Sequence, residues 1–462
     1  MIDKGDILAR AAEWGLPAGV VEKDYVLGWL LAAIALHPVA GNLWVFKGGT
    51  CLKKCYLETY RFSEDIDFTF LPGAPYEDAD VAQTLGEVCA HAYELSGIEF
   101  PPELNQIDSL TNRAGQPTYM ARLSYRGPLQ QRGSLPRVIV DITRHETIVA
   151  TPVRREIFHP YPDRLPDGAR VLAYSLEELL AEKARALRER TRPRDLYDVV
   201  YLGENSVGSI DIIATREICR EKCRAKGLEP LTPEGLIEIA RSDVELLSEW
   251  ANMLAHQLPS LPDLSDYIGR LPHATRWLVE VPTPEAPLPV ATAGAEYAST
   301  SSIEFRGGGT PLENLRFAGA NRLLVEFQYH GKHRFVEPYS LRMSGPGNLL
   351  LYAWEVNGTN IKAFNVYEIQ GLRITDQPFT PKFQVELAPG HVAIPSTRAS
   401  YRFPSATISR RRTSGPIYVF ECTYCGKKFR RSRRVSRLNK HVMRGGYYAC
   451  SGRTGMLVDT IY

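Results

Sequence analysis

Apolar and polar positions change period several times along the chain. Asp6 to Trp14 carries an apolar stripe at helical spacing, Pro17 punctuates it, and Val20 to Leu36 continues as a second helix. Residues 43–70 read as strand, turn, helix and strand. Ala79 to Tyr93 is helical again, while Met120 to Tyr125 and Arg137 to Ile142 are alternating or apolar strand runs. Ser175 caps a helix over Leu176 to Arg190, with Glu177 and Glu178 in its first turn, where the macrodipole favours acids. Pro193 breaks the chain, a further helix begins near Asp195, and residues 206–270 are mostly helical.

The pattern shifts near residue 271. Pro272, Pro282, Pro284, Pro287 and Pro289, with the small-residue run Ala291 to Ala298, predict an extended linker over 271–310. Residues 311–390 turn to strand patterns at Leu323 to Tyr329, Leu349 to Trp354, Ile361 to Val366 and Leu372 to Thr375, with glycine turns between them. A second Pro/Ser-rich linker covers 391–416, and 417–462 form a small cysteine-bearing module. The expected fold class is multidomain α+β, as befits 462 residues, too many for one ordinary core.

The formal charge of +2 conceals an asymmetry. From Lys427 to Arg444 there are nine Lys/Arg and no Asp or Glu, so the tail is a basic module on a near-neutral body. The longest apolar run, Val26 to Leu36, is shorter than the ~20 residues that a bilayer needs. The N-terminus is not signal-like, and Cys51, Cys55, Cys89, Cys219 and Cys223 read as reduced, buried thiols, so a cytoplasmic protein with no membrane partner is expected.

Candidate chemistry concentrates in KGGTCLKKCYLETYRFSEDIDF, Lys47 to Phe68. In a strand, Asp65 and Asp67 project to one side and Ile66 and Phe68 to the other. Two adjacent carboxylates repel and gain by sharing a divalent cation. The Gly48-Gly49-Thr50 turn lets backbone N–H groups approach a phosphate. Asp141, at the end of the apolar strand run, is the third carboxylate that a two-metal phosphoryl transfer needs. Lys183 sits on an apolar helical stripe, either snorkelling or aimed at a triphosphate. Lys53 and Lys54 read as a solvated helix face. Asp195 and Asp198 fit either helix-start charges or site residues, and Arg192 and Arg194 either solvated charges or phosphate and RNA contacts.

GGT…RFSEDIDF, the following strand Asp141, then EELLAEKARAL…RPRDLYDVVYL resembles the AbiEii/AbiGii toxin family of nucleotidyltransferases, in the DNA polymerase β-like superfamily. Val21-Glu22-Lys23-Asp24-Tyr25-Val26 is similar to the family's N-terminal pattern. The resemblance covers about 15–205 and implies an N-terminal nucleotidyltransferase α/β fold with a helical extension, over 1–270. It further implies magnesium held by Asp65, Asp67 and Asp141. Lys183, Asp195 and Asp198 are its other catalytic residues, and Gly48, Gly49, Thr50 and Lys23 contact the NTP.

Residues 313–382 resemble the WYL domain, a small strand-rich ligand-binding fold. The matching stretches are LLVEFQY (323–329), VEPYSL (336–341), LLYAW (350–354) and KAFNVYEI (362–369). Glu368 departs from the basic residue expected there, and no winged helix precedes the domain. The expected ligand face is Tyr339, Arg342, Tyr352, Trp354 and Lys362. Tyr352 and Trp354 equally fit core aromatics.

In the tail, Cys422-x2-Cys425 is followed after fifteen residues by His441 and after eight more by Cys450. This resembles a zinc finger, with room for a loop and one helix before His441 and a last gap longer than usual. Thiolate and imidazole donors in fours favour tetrahedral zinc. The basic run beside it predicts RNA or DNA contact through the backbone.

These pieces predict a metal-dependent toxin that transfers a nucleotide from an NTP to the 3′ end of tRNA, in a bacterial toxin–antitoxin or phage-defence system with a cognate antitoxin. Two alternatives stay open. One is a non-enzymatic, ligand-sensing regulator that binds nucleic acid. The other is a nucleotidyltransferase that modifies protein hydroxyls.

Overall fold

The computed structural model describes residues 1–57, 60–111, 117–131, 133–144, 146–206, 209–279, 288–291, 312–343, 348–387, 417–431, 436–438, 441–442 and 449–461. They fall into two units, Met1–Ser396 and Thr397–Tyr462. The first opens with α1 (Lys4–Trp14), started by a reciprocal capping box between Asp3 and Asp6. α2 (Ala18–Leu36) is buried over most of its surface, and the short α3 (Ala40–Leu43) leads into β1 (Trp44–Lys47). Gly48, at φ +80°, turns the chain into α4 (Gly48–Cys51), which continues as π-helix over Leu52–Tyr56. β2 (Asp65–Phe70), α5 (Asp78–Ser96), β3 (Gln106–Thr111), β4 (Pro117–Ser124), β5 (Arg137–Thr143), β6 (Val153–Glu156) and β7 (Arg170–Ala173) complete a mixed layer.

The seven strands lie in the order β3-β4-β5-β2-β1-β7-β6. β2 runs parallel to β5 and β1 parallel to β7, and the other neighbours are antiparallel. Strand alternation divides this sheet chemically. Ile66, Phe68, Val140 and Ile142 are buried in the hydrophobic core with Phe46 and with Leu30, Leu85 and Val88 of α2 and α5. Asp65, Asp67 and Asp141 alternate with them and are only partly covered.

The expected solvated face at Lys53 and Lys54 is corrected by the structure, which buries both. The π-helical turn directs Lys54, 1% exposed, onto Asp24 at 2.7 Å, and sets the Lys53 ammonium over the Phe62 ring. A buried cation needs such a partner, and the VEKDY block supplies it.

Helices follow the sheet: α6 (Leu176–Arg190), α7 (Pro193–Asn205), α8 (Ile212–Ala225), α9 (Pro233–Ser242), α10 (Val244–Leu254) and α11 (Leu264–Ala274). The helical part does not stop at 270. α11 runs through Pro272 in its last turn, and Leu271, Ala274, Trp277 and Leu278 are buried, so apolar packing overrides the proline signal. The remainder of the expected linker lies largely outside the described residues.

α12 (Leu312–Ala320) precedes β8 (Leu323–Tyr329), β9 (Lys332–Met343), β10 (Leu349–Glu355), β11 (Ile361–Asn365) and β12 (Gln370–Pro378). They form an antiparallel sheet in the order β11-β10-β9-β8-β12. This region shares a core with the helical body. Asn321, fully buried, accepts hydrogen bonds at Oδ1 from the Tyr197 and Tyr267 hydroxyls at 2.9 and 2.7 Å. Glu204, its side chain almost wholly covered, joins Arg270 and Arg322, each at 3.1 Å. The boundary expected at 311 is therefore not a break in packing.

The second unit holds β13 (Ile417–Cys422), β14 (Lys428–Arg431), β15 (His441–Val442), β16 (Ala449–Cys450) and β17 (Gly455–Ile461). β13 is the centre of a three-stranded sheet, and β15 pairs with β16. Among the described residues no helix lies between Cys425 and His441. Lys428–Arg431 is a strand instead, because it sets Phe429 opposite Phe420 in register.

Candidate active site

Asp67 and Asp141 are Cα partners across the parallel β2–β5 pair, and Lys47 is the partner of Asp67 on the other side, in β1. Partners in register share a face, so the three side chains form one row across the sheet. Asp65, two residues before Asp67, joins that face. Burial pushes the Asp141 carboxyl up to about 6, and the charges of Asp67 and Asp65 add to it. Burial, then Asp67, raises Asp65 as well. Three hard oxygen donors that repel one another fit a divalent cation such as magnesium, whose charge would reverse both shifts. Lys47 offers partial relief. Its ammonium, pushed down to about 8 by burial, pairs with Glu146 and donates to Thr143 Oγ1 at 3.3 Å.

The glycine turn abuts this row. A Cβ on Gly48 would be driven into Asp67 Oδ2, and one on Gly49 would lie 2.6 Å from Arg61 Nη2. Only glycine lets the backbone pass so close to the carboxylate. Thr50 differs from its expected phosphate contact, since its buried hydroxyl donates to the Asp65 carbonyl and ties the turn to β2. What Thr50 can offer a phosphate is its backbone N–H.

Lys183, Asp195 and Asp198 come together in a second, buried cluster. Lys183 Nζ lies 2.7 Å from Asp198 and 3.4 Å from Asp195. Arg61 grips Asp198 through two bonds of 2.7 and 2.8 Å, Tyr60 donates to the same carboxylate, and Arg190 caps Asp195 at 2.7 Å. Burial opposes ionisation of Asp198, but Arg61 and Lys183 outweigh it and hold the carboxyl below its usual range. Asp195 is held down likewise by Lys183 and Arg190. Neither aspartate is a solvated helix-start charge. The cluster carries three cations on two anions, and Arg61 brings it directly beneath Gly49.

Lys23 on α2 stands at the rim, 2.7 Å from Glu64, which also meets His256 at 3.2 Å. Lys23 and Arg194 both act electrostatically on Asp65, while Arg192 is exposed. Sequence reasoning assigned no role to Lys47 or Arg61. Both lay inside the quoted block, and a cation three residues before the acids Glu64 and Asp65 was the available signal for Arg61. The register that sets Lys47 opposite Asp67 had none.

In the strand-rich region, Tyr339, Arg342, Tyr352 and Trp354 gather on one side, covered by the chain after β12. Phe383 packs on Tyr339 and Trp354, Lys382 lies over Trp354, and Glu386 binds Arg342 at 2.6 Å. Lys362 is separated from them. It is opposite Ala353, whereas Tyr352 and Trp354 are opposite Ala363 and Ile361, so the pleat sends it to the other face to meet Glu355. In the second unit Cys422, Cys425 and Cys450 converge. His441 lies opposite Cys450 in the backbone register, and its side chain lies outside the described residues.

The model of the nucleotidyl transferase AbiEii toxin family, of type IV toxin–antitoxin systems, matches residues 29–281, more than half of the chain. No curated protein matches. Among solved structures, MenT4, a nucleotidyltransferase toxin from Mycobacterium tuberculosis, is 22% identical, with 60% of this chain and 88% of that one covered and a TM-score of 0.41. JHP933 from Helicobacter pylori is 17% identical, with 57% and 93% covered and a TM-score of 0.37.

Proposed function

This chain belongs to the AbiEii nucleotidyltransferase toxin family, and from that premise we propose that it moves a nucleotide from an NTP to the 3′ end of tRNA. The observation that carries this reading is the convergence of Asp65, Asp67 and Asp141 on one sheet face beside a glycine turn. Magnesium held by these carboxylates would supply activation of the attacking hydroxyl and neutralisation of the phosphates.

The rest of the work falls to this chain's own residues. The backbone of Gly48, Gly49 and Thr50 cradles the β- and γ-phosphates, with the excess positive charge of the Lys183 cluster beneath them and Lys23 at the rim. The acceptor oxygen bonds to the α-phosphorus, its proton passes toward Asp141, and pyrophosphate leaves with the electrons of the broken bond. Arg61 and Asp198 keep the glycine turn at a fixed distance from Asp67, which is positioning rather than chemistry.

We assign the toxin to the cytoplasm, within a toxin–antitoxin or phage-defence system, and held in check by an antitoxin. No helix among the described residues is long and apolar enough to cross a membrane. The WYL-like region is proposed to bind a ligand on the Tyr339–Trp354 side, with Phe383 displaced. The basic tail is proposed to add backbone affinity for RNA or DNA. Incubating the protein with each α-labelled NTP and total tRNA tests the acceptor. Label in tRNA supports the reading, and label confined to protein moves the acceptor to a protein hydroxyl.

A further inference from the structure

We propose that Cys422, Cys425 and Cys450 hold a structural zinc ion, with His441 as its fourth ligand. Such a site is separate from the residues of nucleotidyl transfer. The three sulfurs all lie within 4.8 Å of one another, although they come from the end of β13, the turn after it and β16, 25 or more residues further on. Cys422 and Cys450 Sγ are 3.8 Å apart. A disulfide would bring them to ~2.05 Å. A tetrahedral ion with metal–sulfur bonds of ~2.3 Å sets its sulfurs roughly 3.8 Å apart.

The surrounding backbone is shaped to thiolates. Gly426, at φ +70°, follows Cys425 directly, and its N–H returns to the Cys422 carbonyl at 2.9 Å while the Cys422 N–H reaches Lys427 O at 2.9 Å. This tight turn presents both cysteines of the CxxC to one point. The Gly452 N–H donates to Cys450 Sγ at 3.3 Å, the bond a charged sulfur attracts. A Cβ on Gly452 would sit 2.6 Å from Cys422 Sγ, so a glycine is required there for the chain to pass over the cluster.

The fourth donor is assigned from the sequence motif, in which His441 lies between the CxxC pair and Cys450. β15 and β16 pair His441 with Cys450 as direct Cα partners. Among the described residues of this unit, Phe420 and Leu438 are the large apolar side chains that cluster with buried Cys422 and Cys450. A unit this small gains from a staple, and metal binding then becomes folding free energy. The ion is closed off by four protein ligands, so its role is structural, and each thiol gives up its proton on binding.

The test is metal analysis of the full-length chain purified without chelator under reducing conditions, followed by cobalt exchange. One zinc per chain is expected, and the cobalt form should show the intense visible bands and sulfur-to-metal charge transfer of a tetrahedral three-thiolate site. His441→Cys should keep the metal with a spectrum shifted toward four thiolates, whereas His441→Ala should lose most of it. Absence of bound metal after zinc reconstitution, or an octahedral cobalt spectrum, overturns the site. Unchanged zinc and cobalt spectra in both His441 variants overturn His441 as ligand. The wild-type cobalt spectrum decides the thiolate count even where a variant fails to fold.

Discussion

Asp67 and Asp141 face each other as direct partners on two neighbouring parallel strands, and the Asp67 charge adds to the cost of ionising the half-buried Asp141. A site built this way holds repulsion in reserve for a cation. Asp141→Asn should therefore abolish transfer while making the metal-free protein more stable. With Asp141 partly solvated, the gain should be about 1–2 kcal/mol after allowance for screening. Urea denaturation in the presence of a chelator checks this. A less stable variant would mean that Asp141 is held by partners rather than repelled.

The same pair sets a pH dependence. The folded Asp141 titrates near 6, above its ordinary value of 3.8, so the native state binds the extra proton between those limits. Asp141's contribution to the stability of the metal-free protein then falls as pH rises from about 4 to about 6, and levels off above that. Magnesium competes with the same proton. Its stabilising effect on Tm should be largest above pH 7 and shrink steeply below about 6. A magnesium effect that is independent of pH would separate the metal from these carboxylates.

Asp198 represents the opposite case. Its carboxylate is wholly buried and neutralises both Arg61 and Lys183. Asp198→Asn leaves two buried cations short of a partner and should cost about 3–5 kcal/mol. Thermal denaturation should show a large drop in Tm. Arg190 lies on the solvent side of Asp195, half exposed, and Arg190→Ala should cost less.

Much of this was readable from sequence, and the reason is periodicity. The alternation that put Ile66 and Phe68 in the core forced Asp65 and Asp67 onto the other face. Ser175 and the stripe over Leu176 to Arg190 fixed α6 at its ends. What escaped depended on partners distant in the chain. Lys53 and Lys54 look like any surface pair until Asp24 and Phe62 are brought to them. The fate of Lys183, held by Asp198 rather than solvated, needed α7 to fold back. Pro272 suggested a break because its lost hydrogen bond is local, whereas the burial of Leu271 and Trp277 that outweighs it is not. Lys362 was grouped with Trp354 because the β10–β11 register cannot be read from either strand alone.

Gly48 makes a sharp test of the turn. Its positive φ and its approach to Asp67 both exclude a side chain. Gly48→Ala should reduce kcat by at least 100-fold, since a displacement of about 1 Å at a reacting centre costs on that order. Global stability should fall by only about 1–3 kcal/mol, the range for a strained backbone position. Steady-state kinetics beside a melting curve distinguishes this from simple unfolding.

The most direct test of nucleotide transfer to tRNA removes one carboxylate. Wild type and Asp67→Ala are incubated with magnesium, each α-labelled NTP in turn and total tRNA, after circular dichroism has shown both to be folded. Label is expected in the tRNA band with wild type, dependent on the metal, and none with the variant. Label transferred by Asp67→Ala at the wild-type rate, or no transfer by wild type from any of the four NTPs, would contradict this expectation.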